Sequence, residues 1–208
     1  MQSKIVIIDY GMGNLRSVQK KFHRIGTNTE ISNNPELIAN AHKLVLPGVG
    51  HFSHGIKQLK ELGIWDVLNE AVLQKKIPIL GICLGMQLVA KHSCEGGNVE
   101  GLGWFDAEVV KFDVKDQLKH KVPHMGWNNA IISRKNIFLQ GVDNESMYYF
   151  VHSYYMKCND EKDILTTTDY EDKFVSAIHK DNIYGTQFHP EKSHDTGEKL
   201  IRNFVEFT

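Results

Sequence analysis

The chain has 208 residues, 41% of them hydrophobic and 24% charged, with 24 Lys and Arg against 25 Asp and Glu. That profile excludes disorder, collagen-like repeats and coiled coil, and a chain of this length buries about 70% of its unfolded surface without disulfide or metal staples. A formal net charge of −1 provides no basic stripe for phosphates, so no nucleic-acid partner is expected, and the 3 scattered cysteines (Cys83, Cys94, Cys158) suit the reducing cytoplasm rather than a disulfide framework.

Ile5–Ile8 reads as a buried strand that stops at Asp9, too short for the apolar core of a signal peptide. Gly11-Met12-Gly13 then leads into a helical pattern from Asn14, its expected N-cap, to about Ile25. A second strand, Lys43–Leu46, ends in Pro47-Gly48-Val49-Gly50, and the helical pattern from Ile56 to about Gln74 is interrupted near Gly63. Pro78–Ile82 is a third strand, followed at once by a helix over Leu84–Ala90. The near-apolar stretch Ile77 to Met86 carries Pro78, Gly81 and Gly85 and falls far short of the ~20 residues of a membrane helix, so a soluble protein with no membrane partner is expected.

From about Gly101 the pattern turns to alternation and hairpins. The plainest hairpin is Phe174–Lys180, a two-residue Asp181-Asn182 turn, and Ile183–Phe188. Thr196–Phe207, with Leu200, Ile201, Phe204 and Val205 on one face, closes the chain as an amphipathic helix. No repeat or linker interrupts the chain, so one domain over 1–208 is expected. Its class is α/β: a mostly parallel sheet flanked by helices, with antiparallel strands added in the C-terminal half.

Gly81-Ile82-Cys83-Leu84-Gly85, between a predicted strand and a predicted helix, has the form of a nucleophile elbow with Cys in the place of Ser. There the helix dipole and free N–H groups favour a thiolate; the alternative is a buried small hydrophobic Cys at a strand end. A cysteine nucleophile needs a base and the base needs an orienter. Gln187-Phe188-His189-Pro190-Glu191 offers both, because Pro190 stiffens the backbone so that Glu191 can fix the tautomer of His189. A structural turn histidine is the alternative, there being 11 histidines in the chain. In Pro47–Gly50, backbone amides at Val49 and Gly50 could join the Leu84 N–H as oxyanion donors, although such a segment alone is more often just a turn. No two histidines sit at helical i, i+4 spacing with further ligands at hand, so no metal is expected.

Gly81–Gln87 together with Gln187–Lys192 resembles the triad-type, class I glutamine amidotransferases. Asp9–Leu15, Pro47–Gly50, Lys121–Asn128 and Tyr148–Tyr155 further resemble the branch of that family that forms the amidotransferase subunit of imidazole glycerol phosphate synthase, and the likeness runs from Asp9 to the final helix. The resemblance implies a flavodoxin-like fold in which Cys83, His189 and Glu191 hydrolyse L-glutamine to glutamate and ammonia without a cofactor. It implies substrate contacts at Gly48, Gln87 and Glu95 and at the backbone of Ser153 and Tyr154. Cys94, beside Glu95, departs from the acidic residue usual in the family. The resemblance also implies a heterodimer with a (β/α)₈-barrel cyclase subunit that receives the ammonia, docked on a face holding Asn14, Trp127, Asn128, Tyr149 and Lys192. Core packing is the alternative for Trp127 and Tyr149. Two other functions stay open: a paralogue supplying ammonia to amidinate a bacterial surface sugar, on which His51 and Trp104 bear, and a non-catalytic binding module on the same fold. If the Pro47–Gly50 peptide must rotate to present an oxyanion N–H, the isolated subunit is expected to be a poor glutaminase until its partner biases that turn.

Overall fold

The computed structural model describes residues 4–116 and 120–208. Its first half is a run of strand–helix units. Strand β1 (Ile5–Ile8) leads to α1 (Leu15–Arg24), capped by Asn14, whose Oδ1 accepts the Ser17 N–H at 3.2 Å. Next come β2 (Thr29–Ser32), α2 (Pro35–Ala39), β3 (Lys43–Gly48), α3 (Phe52–Glu61), α4 (Ile64–Asn69) with a further turn over Glu70–Gln74, β4 (Ile79–Cys83) and α5 (Leu84–Leu88).

The expected break near Gly63 is present: that glycine takes φ 67° between α3 and α4, although the helical segment begins at Phe52 rather than Ile56. Helix α5 is shorter than its sequence pattern, because Ala90 already belongs to β5 (Ala90–Ser93). β2 and α2 had no counterpart in the sequence reading. β2 has no fully buried residue, and five-residue α2 rests on local signals, with Asn34 accepting the N–H groups of Glu36 and Leu37 and Pro35 in the first turn.

The second half contributes β6 (Val99–Glu100), β7 (Phe105–Lys111), β8 (His124–Asn129), β9 (Ile131–Ile132), β10 (Met147–His152), β11 (Tyr154–Cys158), β12 (Ile164–Asp169), β13 (Lys173–Lys180), β14 (Ile183–Thr186) and α6 (His194–Phe207). The main sheet has the order β2-β1-β3-β4-β14-β13-β12-β9. Its strands are parallel from β2 to β14 and antiparallel beyond. The predicted β13–β14 hairpin therefore does not sit at an edge. It inserts β14 beside β4, in the middle of the sheet. Outside that sheet lie a small one, β11-β7-β5-β6, and an antiparallel ribbon of β8 and β10.

Both faces of the main sheet are covered, so its central strands are buried at every residue. Along β1 the side chains alternate: Ile5 and Ile7 join Phe22 of α1 and Leu200, Ile201 and Phe204 of α6, while Val6 and Ile8 join Phe52, Leu59 and Leu68 of α3 and α4. Each of these large side chains contributes roughly 1.5–3 kcal/mol on burial. No described helix is long and apolar enough to cross a membrane.

The layering fixes where a site can form. The carboxyl ends of β3, β4 and β14 lie side by side, with Gly48 paired to Cys83 and Thr186 paired to Ile82. Ligands in open parallel sheets bind at such ends.

Candidate active site

Cys83 is the last residue of β4, and Leu84 opens α5. The chain makes this turn in one step because Cys83 adopts φ 54° and ψ −107°. A non-glycine residue held there stores about 1–3 kcal/mol of strain, which is common at functional sites. The flanking glycine is required by space, since a Cβ on Gly85 would overlap the Leu46 carbonyl oxygen. Leu84 supplies an N–H in the helix's first turn, where the donors have no intrahelical partner.

His189 leaves β14 by way of Gln187 and Phe188 and lies beside that sulfur. Its Nδ1–H donates to Glu191 Oε1 at 2.8 Å, and both side chains are 3% exposed. The opposite nitrogen, Nε2, is buried and takes no hydrogen bond of ordinary geometry among the described residues. Burial disfavours the imidazolium, but the Cys83 sulfur, as acceptor and as charge, and the Glu191 carboxylate outweigh it and raise His189 to about 10. The ring is thus held as a cation at neutral pH.

Two residues outside the sequence reading position this pair. Ser193 Oγ donates to the His189 carbonyl at 2.6 Å and accepts the Tyr149 N–H at 3.0 Å, while the His189 N–H donates to the Tyr149 carbonyl at 2.9 Å. Gln187 is fully buried; its Nε2 donates to Cys83 Sγ at 3.6 Å and its Oε1 accepts from Gln87 Nε2 at 2.9 Å. Both lie inside the Gln187-to-Ser193 stretch, so nearness to His189 was the available signal.

In front of the sulfur is a cavity of about 400 Å³, enough for an amino acid. Val49, Gly50, Cys83, Leu84, Gln87, Glu95, Ser153 and Tyr154 line it, which brings together all the expected oxyanion and substrate positions except Gly48. Gly48 stands one step behind, opposite Cys83 in the β3–β4 ladder. Gln87 is buried rather than on a polar helix surface, and its Nε2 also donates to the Tyr154 carbonyl at 2.8 Å. One Glu95 carboxylate oxygen accepts the Phe52 N–H at 2.7 Å at the start of α3, a favourable place for negative charge. Cys94 is exposed.

The arrangement supplies a buried cysteine sulfur, a protonated imidazole with its carboxylate, and a cavity that ends at the sulfur. Residues 6–207 match the family model described as glutamine amidotransferase class-I. This chain belongs to the class-I glutamine amidotransferases. Among curated proteins it is 54% identical to imidazole glycerol phosphate synthase subunit HisH 2 of Methanococcus maripaludis, over 97% of this chain and 98% of the relative. It is 51% identical to subunit HisH 1 of Campylobacter jejuni strain RM1221 over the same shares, and 46% identical to subunit HisH 2 of Pseudomonas aeruginosa, again over 97% and 98%. In fold it is similar to a crystallised glutamine amidotransferase (TM-score 0.73, 20% identity, 97% of each chain) and to PurLQS from Thermotoga maritima (TM-score 0.74, 13% identity, 99% and 98% of the chains).

The amidotransferase pocket also contains residues that the sequence did not single out. His152 lines it, donating from Nδ1 to the Tyr154 carbonyl at 2.8 Å, while its Nε2 meets Nδ1 of His124 at 3.2 Å. Burial pushes His152 down to about 3 and His124 down to about 4, so both rings are neutral and serve as hydrogen-bonding struts. The pair is invisible in sequence because it depends on the register of β10 against β8, which sets His152 opposite His124.

On its outer side this ribbon presents Trp127, 42% exposed and stacked on His194 at 4.9 Å, next to Tyr149 at 6.0 Å. Lys192 Nζ lies 5.4 Å from the Tyr149 ring centroid. Exposed Trp127 and Lys192 therefore form one cluster with half-buried Tyr149, and Asn14 is exposed at its helix cap. Asn128 lies on the other face of the strand, where its amide donates to the Asp169 carbonyl at 2.9 Å. Exposed Met125 and Met147 extend the cluster instead, and Val151, paired with Met125, reaches the pocket lining. Of the two positions that bear on the acceptor, Trp104 is core, its indole N–H on Asn69 Oδ1 at 2.8 Å, and His51 sits exposed against Ser53 Oγ at 2.9 Å. Among the described residues no cluster of three His, Cys, Asp or Glu could hold a metal ion.

Proposed function

We propose that this amidotransferase acts as one cytoplasmic domain over 1–208, the glutaminase subunit of an imidazole glycerol phosphate synthase. The Cys83 thiolate attacks the side-chain amide carbon of L-glutamine. A carbon–sulfur bond forms, and the carbonyl oxygen becomes an oxyanion taken by the N–H groups of Leu84 and of Val49 or Gly50. The carbon–nitrogen bond then breaks as the His189 imidazolium, oriented by Glu191, gives its proton to the departing ammonia. Water adds to the thioester while His189 takes its proton, which releases glutamate and restores the thiolate. Gln87, Glu95 and the Ser153–Tyr154 backbone hold the amino-acid end of the substrate, beside Gly48 at the turn.

Ammonia lost to water becomes ammonium, so hydrolysis needs an acceptor at the mouth of the site. Asn14, Trp127, Asn128, Tyr149 and Lys192 would dock a (β/α)₈-barrel cyclase, which uses the ammonia to make imidazole glycerol phosphate and aminoimidazole carboxamide ribotide. Asn128 would act there by shaping the ribbon rather than by contact. The observation that carries the glutaminase reading is the buried His189–Glu191 pair set against a sulfur at positive φ. The relatives' names and their near-complete coverage support the acceptor.

The test is glutamate release with a histidine-pathway barrel subunit, with and without its formimino-ribulosyl carboxamide ribotide substrate, against Cys83→Ala. Strong stimulation that the substitution abolishes is expected. Cys83-dependent release without stimulation would move the acceptor to a sugar pathway, and no Cys83-dependent release would end the enzyme reading.

A further inference from the structure

Tyr10 follows β1 and is completely buried, and its hydroxyl has no hydrogen-bond partner among the described residues. Burial, then the charge of Cys83, push its pKa far above the ordinary tyrosine range, so the hydroxyl stays a neutral donor at any pH the protein meets. A phenylalanine would fill the same space without the desolvation cost of an unpaired hydroxyl.

What the hydroxyl abuts is the Pro47–Gly50 turn. A Cβ on Gly48 would overlap it, and Gly48 is the residue paired with Cys83. Gly48, the last residue of β3, presents no side chain to Tyr10, and beyond it the turn runs on to Gly50 at φ 120°, a conformation that favours glycine. When the peptide joining Gly48 to Val49 rotates, its N–H and C=O exchange sides.

We propose that Tyr10 is a positioning residue of the oxyanion turn. When the Val49 N–H swings to the oxygen of the substrate amide, the Gly48 carbonyl swings the other way and accepts the Tyr10 O–H. The bond forms only in the rotated state and so biases the turn toward it. This rests on the proposed hydrolysis at Cys83, because only that chemistry creates an oxyanion.

Tyr10→Phe in the full chain tests the idea through three readouts, with wild type beside it in every assay. Steady-state glutamine hydrolysis with the barrel subunit should lose about tenfold in kcat, the worth of one hydrogen bond, with KM nearly unchanged. Melting temperature should rise, because the unpaired hydroxyl is gone. Alkylation of Cys83 by iodoacetamide should keep its rate, since that step forms a carbon–sulfur bond, expels iodide and makes no oxyanion. Wild-type turnover with an unaffected kcat in the variant overturns the proposal, and so does a joint fall of kcat, melting temperature and alkylation, which a structural role would give. A wild type that alkylates but does not turn over glutamine instead overturns the hydrolysis on which the proposal rests, and the proposal with it.

Discussion

At the carboxyl ends of β3, β4 and β14 the chemical groups are buried and held by the register of three central strands. The ribbon of β8 and β10 buries one face, with His124, Tyr148, Phe150 and His152, and on the other carries exposed Trp127 opposite Tyr149. The two regions meet at Val151 and at the Tyr149 backbone, which anchors His189 from the ribbon side. The contrast separates two tasks. Holding a charged imidazole inside the protein requires partners fixed beside it, because burial alone disfavours the charge, and the register of the central strands keeps Cys83 and Glu191 in place around His189. Recruiting a partner requires apolar surface left uncovered, which the ribbon supplies.

Substitutions on the two sides should fail in different ways, in descending size. Cys83→Ala should lower glutamine turnover by about 10⁴-fold or more in steady-state assay, since no other group takes over the nucleophile's part. Glu191→Gln should cost about 10²-fold or more in kcat by removing the carboxylate that orients and charges His189. It should also bring the alkaline limit of the pH–rate profile to lower pH. In wild type that limit is expected near pH 10, where His189 gives up its proton. Because the folded-state value lies above the ordinary 6.5, the stability contributed by the imidazolium is complete below pH 6.5 and is lost as pH rises toward 10, which thermal melts across that range would record.

On the ribbon, Trp127→Ala should weaken barrel binding by about 2 kcal/mol, roughly 30-fold in Kd by calorimetry, as loss of an exposed aromatic anchor does. The smallest effect tests the seam. Ser193→Ala unpairs the Tyr149 N–H and takes a donor from the His189 carbonyl, so it should cost about 1 kcal/mol in denaturant unfolding.

The two regions were also unequally legible in the sequence. The elbow at Cys83 was plain because its turn demands glycine at fixed offsets, and His189–Glu191 because the two lie within one short turn. The hairpin that carries His189 was legible as a hairpin, but its place beside β4 was not, since long-range strand order leaves no local mark. β2 and α2 were missed because exposed, short elements have weak periodicity. The His124–His152 pair, 28 residues apart in sequence, and the extension of the ribbon by Met125 and Met147 depend on the pairing of β8 with β10. Asn128 was placed on the docking face with Trp127 by the family resemblance, and strand alternation sets the two on opposite faces of β8.

The most direct test of the division of labour is the ratio of glutamate released to imidazole glycerol phosphate formed, measured in one reaction with saturating barrel subunit. Wild type should give equal amounts. Trp127→Ala should release glutamate in excess, because the buried pair still hydrolyses glutamine while the loosened ribbon lets ammonia escape. Equal amounts from Trp127→Ala, or an excess from wild type, would contradict the assignment of chemistry to the strand ends and delivery to the ribbon.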